Sequence, residues 1–133
     1  MQLQDLIVLV VEDDTNVKMT IKYMLEEMGV KEVITFESTI NTLKYLDENI
    51  NKIDIILCDW NMPQKTGLEL LREIRQIKPD MPFVMVTARA DKESVMLAKA
   101  ENITSYVSKP ITFNGLQTKI KVIMEKANNF KVA

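Results

Sequence analysis

Short apolar runs alternate along this chain with segments in which apolar residues return every three or four positions. The runs are Leu6 to Val11, Val33 to Phe36, Ile53 to Cys58, Pro82 to Val86 and Thr104 to Val107; they are short and rich in β-branched or aromatic residues, which predicts strands. Between them, Val17, Ile21, Met24, Leu25 and Met28 form one helical stripe that stops at Gly29. Ile40, Leu43 and Leu46 mark a second helix, and Leu68, Leu71, Ile74 and Ile77 a third before Pro79. A fourth spans Asp91 to Glu101, and Leu116, Ile120 and Ile123 mark a fifth. Strict βα alternation predicts an α/β fold with a parallel sheet and helices on both faces. The first, third and fourth runs are apolar almost throughout, as central strands are, whereas the second is short and mixed, like an edge. The nine methionines fall mostly on stripe positions, where core packing accounts for them.

Length and composition narrow the function. With 133 residues, one domain over 1–133 is expected, and because the fifth helix runs to about Asn128 no output domain is expected after it. The net charge of −2 supplies no basic field for nucleic acid. Histidine is absent, which removes it as base, zinc ligand or triad member, and the single Cys58 excludes an internal disulfide and paired-cysteine metal motifs while suiting a reducing cytoplasm. Gly29, Gly67 and Gly115 stand too far apart for a glycine-rich nucleotide loop. The longest apolar run is far short of the roughly 20 residues that span a bilayer, and Met1 to Asp5 lacks the basic start of a signal peptide, so no membrane role is expected.

In parallel sheets of this kind, ligands bind beyond the carboxyl ends of the strands, where the strand order reverses. Those ends carry Glu12, Asp13 and Asp14, then Asp59, Trp60 and Asn61, then Thr87 and Ala88, and finally Ser108, Lys109 and Pro110. Each has an ordinary explanation. The acidic triplet suits a helix N-terminus, and Asp14 in particular reads as a cap. Asp59 and Asn61 suit a turn fixed by Pro63. Thr87 suits a strand end, Tyr106 a half-buried strand aromatic, and Lys109 a solvated charge. What speaks against coincidence is that acids, an amide, a hydroxyl and a lysine collect on one edge of the sheet.

The chain resembles the receiver domain of bacterial two-component response regulators over essentially its whole length, from Val10-Val11-Glu12-Asp13 to the fifth helix. Asp59-Trp60-Asn61-Met62-Pro63 and Gly67-Leu68-Glu69-Leu70-Leu71 are most similar to the stand-alone chemotaxis regulators of that family. The resemblance implies a flavodoxin-like five-stranded sheet in the order 2-1-3-4-5. It implies that Asp59 is phosphorylated by a histidine kinase, that Asp13 binds Mg²⁺ directly, Glu12 through water and Asn61 through its carbonyl, and that Thr87 and Lys109 contact the phosphoryl oxygens. Tyr106 becomes the switch aromatic, and the Lys109–Pro110 bond is implied to be cis. The implied output face joins the fourth helix, fifth strand and fifth helix, with Val95 as an exposed apolar contact and Tyr106, Lys99, Lys119 and Lys121 nearby. The implied protein is a cytoplasmic monomer that is no conventional enzyme and only assists its own phosphorylation and dephosphorylation. Its implied partners are the kinase, a phosphorylation-dependent target such as the flagellar switch, and a phosphatase. A phosphorelay intermediate or a regulator outside chemotaxis is the alternative.

Charge arithmetic agrees with this reading. Glu12, Asp13 and Asp59 bring about three negative charges together, an arrangement that asks for a cation or a bound proton. Mg²⁺ takes oxygen ligands and keeps waters, and with Lys109 it cancels those charges. A carboxylate nucleophile can then form an acyl phosphate, a transfer that depends on positioning and neutralisation. The family's frequent Asp before the glycine is Thr66 here, still able to cap a helix, and the usual Ala-Gly-Ala stretch reads Ala100-Glu101-Asn102-Ile103, with Asn102 suited to a left-handed turn. Ile111 stands where Phe is frequent, a core substitution. A flavin-mononucleotide binder of the same fold needs bare N–H groups and hydroxyls after the first strand, where Glu12 and Asp13 repel phosphate. A phosphohydrolase of the haloacid dehalogenase type needs a second Asp where this chain has Asn61, and a purely structural module leaves the acid, threonine and lysine set unexplained.

Overall fold

The computed structural model of the chain describes residues 2–88 and 91–132, the side chains of 128–132 excepted. Five strands and five helices alternate: β1 (Ile7–Val11), α1 (Thr15–Met28), β2 (Glu32–Phe36), α2 (Thr39–Asn49), β3 (Ile55–Asp59), α3 (Gly67–Ile77), β4 (Phe83–Thr87), α4 (Lys92–Ala100), β5 (Ser105–Ser108) and α5 (Phe113–Val132). All pairings are parallel and the order is β2-β1-β3-β4-β5. The order therefore reverses at β1, between its neighbours β2 and β3.

The period-2 alternation of each strand divides the core into two layers. Val8, Val10, Ile55, Leu57, Val84 and Val86 face α1 and α5, where they meet Ile21, Leu25, Leu116 and Ile120. Leu9, Val11, Ile56, Cys58, Phe83 and Met85 face the opposite way, toward Leu46, Leu70, Leu71, Ile74 and Ala98 of α2, α3 and α4. Strands β1, β3 and β4 are buried on both faces, and β2 is only partly covered, as its mixed composition predicts. Helix starts are built from the expected caps. Asp14 accepts from Asn16 N–H at 2.9 Å and Val17 N–H at 3.1 Å, Ser38 from Asn41 N–H, Thr66 from Glu69 N–H and Asp91 from Ser94 N–H. Gly29 ends α1 at φ 93°, and Asn102 turns the chain after α4 at φ 61°.

Strand boundaries shift slightly from the apolar runs. Ile53 belongs to a 3-10 turn, donating to Ile50 O, so β3 starts at Ile55. Pro82 has no N–H to give and offers only its carbonyl to Ile56, so β4 starts at Phe83. Thr104 accepts Phe83 N–H on its hydroxyl at 2.9 Å and lies just outside the β5 ladder. Asp59 and Thr87 are the last residues of β3 and β4 and not the first beyond them, which fixes their backbones within the sheet. Arg75 of α3 ties the lower loops together, donating to Met81 O at 2.7 Å and Asn102 O at 2.8 Å.

The start of α3 is pressed directly onto the end of β3. A Cβ at Gly67 would stand 2.5 Å from Asp59 O and 3.1 Å from Trp60 Cα, both backbone atoms that cannot swing aside. Gly67 is thus required by contact rather than by an unusual φ. Gly67→Ala is expected to cost about 1–3 kcal/mol of unfolding free energy, measured by urea titration; an unchanged midpoint would contradict this contact.

Candidate functional site

The site forms where β1, β3, β4 and β5 end side by side. Glu12 follows β1 directly; its N–H donates to Phe36 O at 3.0 Å, and its side chain is 1% exposed. Asp59 closes β3 at 6% exposure, and Thr87 closes β4 at 2%. Lys109 lies one residue past β5, where its N–H donates to Thr87 O at 2.9 Å. Its ammonium reaches across the strand ends to stand 3.1 Å from Asp59 Oδ2 and 3.1 Å from Glu12 Oε1. The Lys109–Pro110 peptide is cis, as the resemblance implies.

The carboxylates of Glu12, Asp13 and Asp59 converge, with one oxygen from each lying within 4.8 Å of the other two. Asp13 is exposed at the mouth while Glu12 and Asp59 are buried beneath it. Asn61 donates its N–H to Asp59 Oδ1 at 3.2 Å, and Asp14 donates its N–H to Glu12 Oε2 at 3.3 Å. Glu12 Oε1 has the Lys109 ammonium nearby but no aligned hydrogen bond, leaving a buried oxygen with open lone pairs. An all-oxygen donor set with such an atom fits a hard divalent cation. Cys58 takes no part: it points into the α2–α4 layer, and burial pushes its thiol well above the ordinary range.

The response regulator receiver domain model matches residues 8–121. The chain belongs to this family. It is 32% identical over 118 residues to the chemotaxis protein CheY homolog of Campylobacter jejuni, covering 87% of this chain and 90% of that one. It is 32% identical over 123 residues to the chemotaxis protein CheY of Pseudomonas aeruginosa, covering 91% and 98%. Among solved structures, a response regulator receiver domain protein from Clostridium thermocellum superposes with a TM-score of 0.86 at 32% identity, covering 94% of this chain and 98% of that one.

Beyond the acidic centre, this receiver sets Tyr106 on β5 opposite Met85, half-buried, with Lys119 Nζ 5.5 Å from the centre of its ring. Two expectations for the output face need correction. Val95 is half-buried; the exposed apolar side chains of α4 are Met96 at 60% and Leu97 at 48%. The reason is that Ser94 and Ala98, small residues, are the ones turned against the sheet. Lys121 lies two residues beyond Lys119, about 200° around the helix, and lines a cleft with Leu3, Met28 and Gly29 on the α1 side, away from Tyr106. Lys99 is exposed on α4 as expected. Met96 and Leu97 were not singled out in the sequence because their stripe is as apolar as a buried one.

Burial, reinforced by the neighbouring Asp59 carboxyl and opposed by Lys109, pushes the Glu12 carboxyl up to about 7. Because the folded receiver holds this proton more tightly than the ordinary value of 4.5, the associated stability is fully present below about 4.5 and is lost as pH rises through about 7. Chelator-treated protein is therefore expected to lose unfolding free energy across that window relative to Glu12→Gln. Urea titrations at several pH values measure the difference, and a pH-independent difference would contradict this account of Glu12.

Proposed function

We propose that this receiver is a signalling phosphoacceptor in which Asp59 takes a phosphoryl group from a histidine kinase and thereby alters a protein-binding face. The observation that carries the reading is the placement of one ammonium, that of Lys109, 3.1 Å from both a buried candidate nucleophile, Asp59, and a buried second carboxylate, Glu12. Glu12, Asp13, Asp59 and the Asn61 carbonyl would hold Mg²⁺, Glu12 through water. When bound, that ion offsets negative charge on the carboxylates and the phosphoryl oxygens. An Asp59 oxygen joins phosphorus as the donor's phosphorus–nitrogen bond breaks and the departing imidazole takes up a proton. Lys109 meets the transferred oxygens as a fixed cation, and the Thr87 hydroxyl, at the end of the adjoining strand, donates to them. The chain assists this transfer and its reversal by water without turning over a separate substrate.

Chemotaxis, with the flagellar switch as target, is the setting we infer, supported by relatives named as chemotaxis proteins. A kinase that draws on ATP sets the reaction in the cytoplasm. Phosphorylation adds about one negative charge at Asp59, which draws the Thr87 hydroxyl and Lys109 toward it and frees space for Tyr106 to turn inward. The responding surface then comprises Tyr106, Lys99 and Lys119, with Met96 and Leu97 supplying the apolar contact.

Acetyl phosphate with Mg²⁺ is expected to add one base-labile phosphoryl group per chain, and Asp59→Asn or removal of Mg²⁺ is expected to abolish it. Labelling undiminished in Asp59→Asn would overturn the assignment. Thr87→Ala is expected to accept phosphate but to lose most of the phosphorylation-dependent gain in affinity for the flagellar switch protein, a coupling of about tenfold or more. Calorimetric titration with and without phosphorylation measures it, and full retention in both Thr87→Ala and Tyr106→Ala would refute the switch.

A further inference from the structure

Thr39 belongs to none of the groups above, yet its side chain is 1% exposed at the start of α2 and its hydroxyl donates to Lys65 O at 2.9 Å. Lys65 lies in the loop between β3 and α3, the loop that carries Asn61. Of the loop's other backbone bonds, Trp60 N–H to Val86 O continues the β3–β4 ladder, while Met62 N–H to Trp60 O, Lys65 N–H to Pro63 O and Gly67 N–H to Trp60 O are local. Gln64 turns it through φ 66°, while Trp60 and Met62 anchor its inner side in the α2–α4 layer. Those contacts shape the loop and root it on β3 and β4. They do not set its position relative to the loop that bears Glu12 and Asp13.

The junction of β2 and α2 touches both loops. Phe36 O accepts Glu12 N–H at 3.0 Å, Glu37 pairs with Lys18 of α1, and two residues later Thr39 binds Lys65 O. Four consecutive residues, Phe36 to Thr39, thus bracket the loops that follow β1 and β3 although none of the four is a candidate ligand. We infer that Thr39 is a positioning residue for the cation site, its buried hydroxyl holding the loop after β3 so that the Asn61 carbonyl converges with Glu12, Asp13 and the sheet-held Asp59. This rests on the reading of the site as a Mg²⁺-dependent phosphoacceptor. A neighbouring residue supplies the comparison, because Thr42, one turn further along α2 and equally buried, spends its hydroxyl on Ser38 O within its own helix.

Mg²⁺ titration of the intact chain, followed by the fluorescence of Trp60, tests the inference with Asp13→Asn as the reference for a lost site. Thr39→Val is expected to weaken Mg²⁺ about three- to tenfold, the loss attached to one hydrogen bond, and Thr39→Ser to restore it. Thr42→Val, which removes a buried hydroxyl without touching the loop, is expected to keep the wild-type constant even where its thermal midpoint falls. With acetyl phosphate, Thr39→Val is expected to raise the Mg²⁺ needed for half-maximal phosphorylation by the same factor while the rate at saturating Mg²⁺ stays within about twofold. Should Thr39→Val fail to fold, Thr39→Cys, similar in size and a much weaker donor, gives the same comparison. An unchanged Mg²⁺ constant in the Thr39 variants, or an equal weakening in Thr42→Val, overturns the positioning role and leaves the phosphoacceptor reading intact. A wild-type titration that is identical to that of Asp13→Asn overturns both.

Discussion

Two carboxylates sealed at the end of an apolar sheet, with one ammonium to answer them, set the terms for the rest of the molecule. Glu12 and Asp59 are 1% and 6% exposed, so water screens their repulsion poorly, and Lys109 alone cannot balance a third acid at the mouth. Such a cluster persists only because something else fixes the backbone beneath it. That support comes from β1 and β3, paired to each other and flanked on the outside by β2 and β4, with apolar layers above and below. The free energy of the two layers holds the charges at close range, and the charges in turn are stored affinity for a divalent cation. Stability and chemistry are therefore coupled through opposite signs at one edge of the sheet.

Much of this was legible in the residues because parallel sheets bury whole strands. Ile55, Ile56, Leu57 and Cys58 have no polar alternation to confuse, and the polar residues that follow stand out as strand ends. Caps were equally plain: Asp14 and Thr66 act through their own side chains on backbone only two or three residues away. Strand starts were less so, since Pro82 and Thr104 fit the pattern of an apolar run, yet Pro82 has no N–H and only accepts from Ile56, and Thr104 meets Phe83 partly through its hydroxyl, so neither is a rung of the ladder.

Helix α4 was misread for a physical reason. Its apolar residues lie outside and its small ones inside, so a hydrophobic stripe does not mark the buried face; Ser94 and Ala98 let the helix come close to the sheet, and Met96 and Leu97 are left to solvent. Lys121 was misplaced because proximity in sequence to Lys119 says nothing about the side of α5 on which a residue emerges. Thr39 was invisible for a third reason: its partner is a carbonyl 26 residues away, and any residue supplies a carbonyl.

The bond from Lys109 N–H to Thr87 O, 2.9 Å long, continues the β4–β5 ladder by one rung beyond β5. It makes the main chains of the hydroxyl and of the ammonium a single rigid piece, so neither can approach a new charge by carrying its backbone away from the other. Adjustment there is left to side-chain torsions, which relax on the picosecond-to-nanosecond scale where groups are free to turn and more slowly where packing resists. On the function proposed above, a sheet edge built this way would report a change in charge by rotation alone, and the message would reach β5 without any strand having to slip in register.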